Sequence, residues 1–173
     1  GAQSTQMAEE LGIAAEFVDG RRITDQSSLE IAAMVLNGQI NTRILASCRD
    51  LGIPAVGISG VDAGLIKAHK RPPVARQGNS GETVDYGFVG DIESVDASVL
   101  IKQLDNDLVP IISPLSADES GTLLNINADS VASAVAVALN AEKLILATGA
   151  PQSYANAIAN YLGLFDKVMA TDE

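Results

Sequence analysis

The sequence is poor in aromatic residues and in cysteine. Its 173 residues include no tryptophan, three phenylalanines, three tyrosines and one cysteine. A core with so few rings has to be built from Ala, Val, Ile and Leu, which is typical of buried parallel strands. The single cysteine, Cys48, excludes an internal disulfide and fits a reducing compartment. Because it lies at helical spacing with Ile44 and Leu51, we interpret it as a packing residue and not as a nucleophile.

Positive charge is scarce as well. The chain has 11 Lys and Arg against 22 Asp and Glu, a formal net charge of -11, so we expect neither a general nucleic-acid surface nor a patch for anionic membranes. It shows no signal-peptide pattern and no apolar run long enough to cross a bilayer, so we expect a cytoplasmic protein. The only histidine, His69, has no second histidine with which to share a metal, and we predict no metal site.

The few basic residues are concentrated in one place. Residues 65–76 contain five of the twelve basic side chains of the chain, namely Lys67, His69, Lys70, Arg71 and Arg76. Two prolines lie within this segment and a polar run follows it, which is typical of an exposed hairpin tip or loop. We interpret the segment as a solvated excursion, and an anion-binding role is the alternative.

The order of apolar segments indicates the fold class. Apolar runs typical of buried strands alternate with longer segments of helical spacing. The pattern predicts strands at 53–58, 108–113, 122–126 and 143–148, and helices at 27–51, 92–104 and 130–139. Asn37–Gly38 interrupts the first of these helices and is expected to kink or split it. Alternating strands and helices predict an α/β fold with a mainly parallel sheet.

The junction at residues 124–129 stands out within this pattern. A predicted strand, a helix of small residues and a second strand form a βαβ unit there. Such units place polar groups at the carboxyl end of a strand, beside a helix N-terminus that favours anions. Asn125, Asn127 and Asp129 lie at this point. Asp129 can cap the helix, but one cap accounts for one residue, so we expect a ligand role for at least one of the three.

Four segments together resemble the amino acid kinase superfamily, and most closely the acetylglutamate kinases of arginine biosynthesis. They are a substrate-loop pattern at 17–25, a strand–turn–strand with a glycine-rich bend at 56–66, a hairpin return at 86–93, and a signature at 125–129. The resemblance covers about residues 1–151. It implies an amino-acid kinase (carbamate-kinase-like) fold, a three-layer sandwich with a mainly parallel sheet, here incomplete.

The resemblance also implies a reaction and roles for five residues. Such enzymes transfer a phosphoryl group from ATP, with Mg²⁺, to the side-chain carboxylate of N-acetyl-L-glutamate. Arg22 would hold the α-carboxylate of the substrate, and Asn125 and Asn127 would bind the substrate. Gly1 would be the last glycine of a glycine-rich loop. Asp129 would orient a catalytic lysine. Family members also pair through this half, so we expect a homo-oligomer.

The sequence departs from the family pattern in its lysines. The family carries one lysine on its first strand and another in its carboxyl half, and both neutralise phosphates. The lysines of this chain, at 67, 70, 102, 143 and 167, lie in no matching motif. Since loss of such cations costs orders of magnitude in rate, we expect the isolated chain to be inactive. A silent N-acetylglutamate-binding module and a recombined or engineered scaffold without a ligand are the alternatives.

The carboxyl-terminal residues suggest a second origin. Residues 152–173 predict a helix and a strand that resemble a segment of haloacid-dehalogenase-type phosphatases, with Thr148 at the position of that family's hydroxyl. The nucleophilic aspartate of those enzymes has no match, so no phosphatase is predicted. The sequence therefore divides into an amino-acid-binding domain, residues 1–151, and a tail of different origin, residues 152–173, packed on the same sheet, as in a fusion or chimera.

Overall fold

A computed structural model of the chain describes residues 2–13, 17–18, 21–75 and 82–145. The chain forms two compact units, Gly1–Glu142 and Lys143–Glu173. Of the second unit only residues 143–145 are described, so the elements below belong to the first. The predicted boundary at 151/152, Thr148 and the predicted helix and strand of the tail lie outside the described residues.

The amino-terminal part is mainly helical. Helix α1 (Ala2–Glu10) ends at Gly12, whose φ of 71° permits the left-handed turn that closes the helix. Two short strands, β1 (Phe17–Val18) and β2 (Arg21–Arg22), pair antiparallel. The long helical stretch that follows consists of α2 (Gln26–Ala33), a π-helical segment (Met34–Ile40) and α3 (Asn41–Asp50). Ala8, Ile31 and Val35 form the core between α1 and this stretch.

The interruption expected at Asn37–Gly38 takes the form of a π-helical segment that separates α2 from α3. The backbone stays helical through both residues, and the interruption is absorbed as wide π turns. Such turns accommodate an extra residue without ending the helix, and in other proteins they mark functional positions.

The rest of the first unit alternates strands and two helices. In chain order they are β3 (Ala55–Ser59), β4 (Ile66–Lys70), β5 (Val74–Ala75), β6 (Thr83–Val84), β7 (Gly90–Val95), α4 (Ala97–Leu104), β8 (Val109–Ser113), β9 (Leu115–Ala117), β10 (Leu123–Asn125) and α5 (Ala128–Ala138).

Parallel and antiparallel pairings have different places in this unit. Strands β3 and β8, which are separated by a long stretch of chain, pair in parallel, with Ser59 opposite Ser113. Strands β4 and β9 meet in parallel at Lys67 and Ala117. The antiparallel pairs belong to hairpins. Strand β9 pairs with β10, and β4 pairs with β7. Between β4 and β7 in the chain, β5 and β6 form a smaller hairpin. The larger sheet has the order β10-β9-β4-β7.

Helices cover both faces of the parallel pair. On one face Gly57 admits Asn41 of α3, because a Cβ at this glycine would overlap the Asn41 amide oxygen. On the other face Ile58 and Ile112 pack against the main core, whose buried members lie in or directly beside β4, α4, β10 and α5: Leu65, Ile66, Ala68, Leu100, Leu124, Ile126 and Val131. The α/β class and the aliphatic core are thus confirmed, with helix, sheet and helix in three layers.

Two secondary-structure predictions need correction. The helix expected at 92–104 begins only at Ala97, since residues 90–95 pair with β4 and Asp96 accepts a hydrogen bond from the Ser98 N–H at 2.9 Å. The strand expected at 143–148 is not found in its described part, residues 143–145. The second strand of the predicted βαβ unit therefore has no counterpart there. No helix within the described ranges is long and apolar enough to cross a membrane.

Candidate functional site

Three of the four segments singled out in the sequence meet through main-chain hydrogen bonds. The N–H of Thr24 donates to the Tyr86 carbonyl at 2.9 Å, and the N–H of Phe88 donates to the Thr24 carbonyl at 2.7 Å. The N–H of Asn125 donates to the Phe88 carbonyl at 2.8 Å. We call residues Thr24, Tyr86–Val89 and Asn125 the main-chain junction. It joins segments 17–25, 86–93 and 125–129, which lie far apart in sequence.

A glycine makes this junction possible. Gly87 has a φ of 74°, in the left-handed region that favours glycine, and a Cβ there would overlap the Thr24 carbonyl. Its N–H donates to Asp85 Oδ1 at 2.8 Å. Thr24 itself is only 4% exposed. The close approach of the substrate-loop segment to the hairpin return therefore depends on the absence of a side chain at residue 87.

Asn125 lies where the junction meets the sheet. It ends β10 opposite Leu115 and beside Val89, and it is half-buried. The next N–H, of Ile126, donates to the Pro114 carbonyl at 2.9 Å. The position of Asn125 is thus set by two neighbouring pieces of backbone, Phe88–Val89 and Pro114–Leu115, as a ligand-binding side chain requires.

Asn127, not Asp129, caps helix α5. The Asn127 Oδ1 accepts a hydrogen bond from the Ser130 N–H at 3.0 Å, and its backbone is extended. Asp129 lies within the first turn and is exposed. The predicted cap at Asp129 was therefore wrong by two residues, because the helix begins at Ala128. In the first turn the carboxylate of Asp129 faces a favourable helix dipole.

A cavity of about 590 Å³ adjoins the capped end of α5. Its polar lining includes Asn127, Ser130, Arg71 and Asp91, and its apolar lining comes largely from one side of α5 and from β7. A volume of this size is in the range of small-molecule sites. Among the predicted site residues whose side chains are described, Asn127 lines it, and Asn125 and Asp129 do not.

The four described basic residues of the segment beside this cavity each have an acidic partner. Arg71 forms a two-pronged pair with Asp91, with Nη2 2.5 Å and Nε 3.1 Å from Oδ1. The other pairs are Lys67 with Glu119, His69 with Glu93 and Lys70 with Asp85. We call these four pairs the charged ladder. Because each of these basic side chains already has an acidic partner, the ladder does not support the alternative of an anion site.

The ladder also shifts the acidities of its members. The hydrogen bonds from Arg71 lower the pKa of Asp91 below its ordinary value of 3.8, and the Asp91 carboxylate raises the pKa of Arg71. The Gly87 N–H, followed by Lys70, lowers the pKa of Asp85. Both aspartates therefore remain ionised at neutral pH.

The fourth segment, residues 56–66, lies against the same sheet. Ser59 is 3% exposed, and its N–H and hydroxyl both donate to Asp62 Oδ2, at 2.7 and 2.6 Å. The Gly60 N–H donates to the Leu115 carbonyl at 2.7 Å, and a Cβ at Gly60 would lie 2.7 Å from that oxygen. The bend after β3 is thus hydrogen-bonded to Leu115, the residue that lies opposite Asn125.

Two predicted site residues have no side-chain geometry to compare with their expected roles. Gly1 lies outside the described residues, and only the backbone of Arg22 is described, in β2 opposite Phe17. Within the described ranges there is no group of three or more His, Cys, Asp or Glu side chains that could hold a metal ion.

Sequence reasoning missed the two residues on which the junction depends. Thr24 carries no signal of its own, because its contribution is made by its backbone. Gly87 could have been found, since a glycine between two aromatic residues in a strand pattern marks a close backbone approach.

Comparison with known proteins supports the family resemblance of these segments. The model of the amino acid kinase family matches residues 1–156. Acetylglutamate kinase of Myxococcus xanthus is 48% identical over 154 residues, covering 87% of this chain and 50% of the relative. Acetylglutamate kinase of Methanopyrus kandleri is 44% identical over 151 residues, covering 87% and 60%. The chain thus spans about half the length of the curated relatives it matches.

Solved structures give the same result. A crystal structure from Streptococcus mutans UA159 superposes with a TM-score of 0.72 at 28% identity, covering 86% of this chain and 56% of the other. N-acetylglutamate synthase from Neisseria gonorrhoeae, in complex with coenzyme A and N-acetyl-glutamate, gives a TM-score of 0.67 at 28% identity. Here the match covers 86% of this chain and 32% of the other.

Proposed function

Because this chain belongs to the amino acid kinase family, we propose that it forms the amino-acid-binding part of an acetylglutamate-kinase-like enzyme. The observation that carries the proposal is the main-chain junction, which brings the substrate-loop segment to the backbone of Asn125. The acetylglutamate kinases to which the chain is 42–48% identical support N-acetyl-L-glutamate as its ligand.

The proposed site recognises the substrate with neutral and basic groups. Arg22 would pair with the α-carboxylate, for which a planar guanidinium provides two parallel donors. Asn125 would hydrogen-bond the substrate from the end of β10, and Asn127 and Gly1 would complete its binding. Asp129 would orient a catalytic lysine. In phosphoryl transfer such groups act by positioning and by neutralising charge, and they form no covalent bond with the substrate.

We include ATP and Mg²⁺ in the proposal because the chain belongs to a kinase family. Magnesium in kinases is held largely by phosphate oxygens and water, with one or two carboxylates. The described residues offer no cluster built for the ion. We therefore assign no residue of this chain to Mg²⁺, and the roles above do not depend on it. We also propose that the protein is a cytoplasmic homo-oligomer.

Calorimetric titration of the 173-residue chain with N-acetyl-L-glutamate tests the proposal. We expect saturable binding, and we expect Arg22→Ala to weaken it by at least tenfold, because a charged hydrogen-bond pair is lost. The neighbouring Arg21→Ala removes the same charge from the same strand and serves as the matched control. It should bind as the wild type does.

The same titration, together with an assay of ATP turnover, separates the alternatives. Folded protein that gives no heat with N-acetyl-L-glutamate would refute the pocket. Binding that Arg21→Ala and Arg22→Ala weaken equally would refute the role of Arg22. Binding accompanied by ATP turnover would show an enzyme, whereas binding without turnover would show that this chain acts as a binding module.

A further inference from the structure

The corner between β8 and β9 lies directly behind Asn125. After Ser113 the chain bends at Pro114 and leaves the parallel pair for the larger sheet. Three parts of the fold meet here: the Pro114 carbonyl accepts the Ile126 N–H, the Leu115 carbonyl accepts the Gly60 N–H, and Leu115 lies opposite Asn125. A displacement of this corner would therefore displace the backbone that carries Asn125.

Side chains on both sides of the corner add to these main-chain contacts: after it, the buried Ser116 hydroxyl donates to the Ile66 carbonyl at 2.5 Å. Proline has no N–H to donate, so Pro114 accepts a hydrogen bond but cannot anchor itself to the sheet. The nearest side-chain anchor is Ser113, which is 5% exposed. Its hydroxyl donates to Asn37 Oδ1 and lies 3.4 Å from the Ile58 carbonyl. The hydrogen bond to Asn37 therefore holds the side chain of the residue that begins the corner.

Asn37 belongs to the π-helical segment, and Asn41 begins the α-helix that follows it. Both asparagines contact β8: Asn37 at Ser113, and Asn41, whose Nδ2 donates to the Ile111 carbonyl at 3.0 Å. The two contacts lie two strand residues apart, and the contact of Asn37 is the one at the end of β8.

We infer that Asn37 is a positioning residue for the candidate site: it holds the Ser113 hydroxyl, and through the 113–115 corner it sets the place of Asn125. The inference rests on the proposed function for its ligand. The geometry of the corner does not depend on that function. Asn41 provides the matched control, because it fastens the same helix to the same strand two residues before the corner and is more deeply buried, at 6% exposure.

Two measurements on the full chain test this role. The first needs no ligand: hydrogen exchange of the Ile126 and Gly60 amides, which bond to the corner. Asn37→Ala should speed both about two- to fivefold, the equivalent of one partly exposed neutral hydrogen bond. Asn41→Ala should lower the melting temperature at least as much, yet leave these two amides unchanged relative to the rest of the sheet.

The second measurement is the affinity for N-acetyl-L-glutamate. Asn37→Ala and Ser113→Ala should each weaken it about two- to fivefold, and the double variant no further, because both remove one contact. Asn37→Asp keeps an acceptor for the hydroxyl and should restore binding. Asn41→Ala should bind as the wild type does.

The outcomes distinguish the two levels of inference. Wild-type protein that binds no N-acetyl-L-glutamate refutes the proposed ligand, and hydrogen exchange still decides the role of Asn37. Unchanged exchange in Asn37→Ala, or the same change in Asn41→Ala, refutes the positioning role even where the ligand binds.

Discussion

The charged ladder and the main-chain junction lie next to each other but are held together by different interactions. The ladder consists of contacts between basic and acidic side chains, most of which are about half exposed or more, such as Lys67 and Glu119 at 62% and 85%. The junction contains backbone hydrogen bonds of 2.7–2.9 Å, a buried threonine and a glycine with a positive φ. The ladder thus depends on contacts between exposed side chains, whereas the junction depends on hydrogen bonds between backbone groups.

This difference bears on how a binding site is recognised. The sequence indicated the basic segment as the alternative place for an anion, yet each of its described basic residues up to Arg71 has an acidic partner. A paired charge at the surface contributes little stability and leaves little attraction for a ligand. The proposed substrate contacts instead lie beside the junction, where a rigid backbone limits the freedom of Asn125.

The largest effect is expected at Gly87. An alanine there would have to adopt a φ of 74° and would bring its Cβ into the Thr24 carbonyl. We expect Gly87→Ala to lower the free energy of unfolding by about 3 kcal/mol or more, or to prevent folding. Urea denaturation measures this loss, and the affinity for N-acetyl-L-glutamate should fall with it.

Gly121→Ala is the control for backbone strain. Gly121 has a φ of 84°, but a methyl group on its Cα would meet no atom within 4 Å, so its substitution should cost about 1 kcal/mol. Equal losses at the two glycines would show that strain alone is responsible. The close approach to Thr24 would then not be the special feature of the junction.

Local patterns predicted much of the fold. Strands β3, β8 and β10 and the α/β class follow from apolar spacing. The errors arose where tertiary pairing overrides local spacing: residues 92–95 have helical periodicity but pair with β4. Likewise, the hydrogen bond between Asn37 and Ser113 of β8 joins residues 76 positions apart, and no local pattern contains it.

The candidate site was predictable in part. The polar residues at the end of β10 could be expected to lie at the carboxyl end of a strand, and the structure places them there. Their assigned roles stay predictions. The positions of Thr24 and Ser113 could not be foreseen, because each depends on a partner more than fifty residues away in sequence.

A smaller effect is expected for Arg71, the best-formed pair of the ladder. Arg71→Gln should lower the free energy of unfolding by about 0.5–1 kcal/mol near neutral pH, since the pair is partly exposed and screened. Because the folded pKa of Asp91 is lowered, its contribution is present above about pH 3.8 and is lost as the pH falls through the folded pKa.

Urea denaturation at about pH 7 and about pH 2.5 checks this dependence. Wild-type protein should lose more stability between the two conditions than Arg71→Gln, in which the main cause of the shift is gone. Arg43→Gln removes the same charge from an exposed position of α3, so it controls for net charge. Identical pH dependence in all three proteins would contradict the assignment of the lowered pKa to Arg71.

The smallest effect is expected for the most exposed pair of the ladder, Lys67 with Glu119. Lys67 and Glu119 are 3.5 Å apart and largely exposed, so water screens their attraction and ordering two long side chains offsets the remainder. Lys67→Gln, which keeps most of the side-chain stem, should change the free energy of unfolding by less than about 0.5 kcal/mol. Added salt should not alter the difference between variant and wild type.

A loss above about 1 kcal/mol that salt abolishes would show that the four pairs act as one network, since isolated exposed pairs do not reach that value. In that event the ladder would share the rigidity of the junction, and the contrast between the two regions would fail.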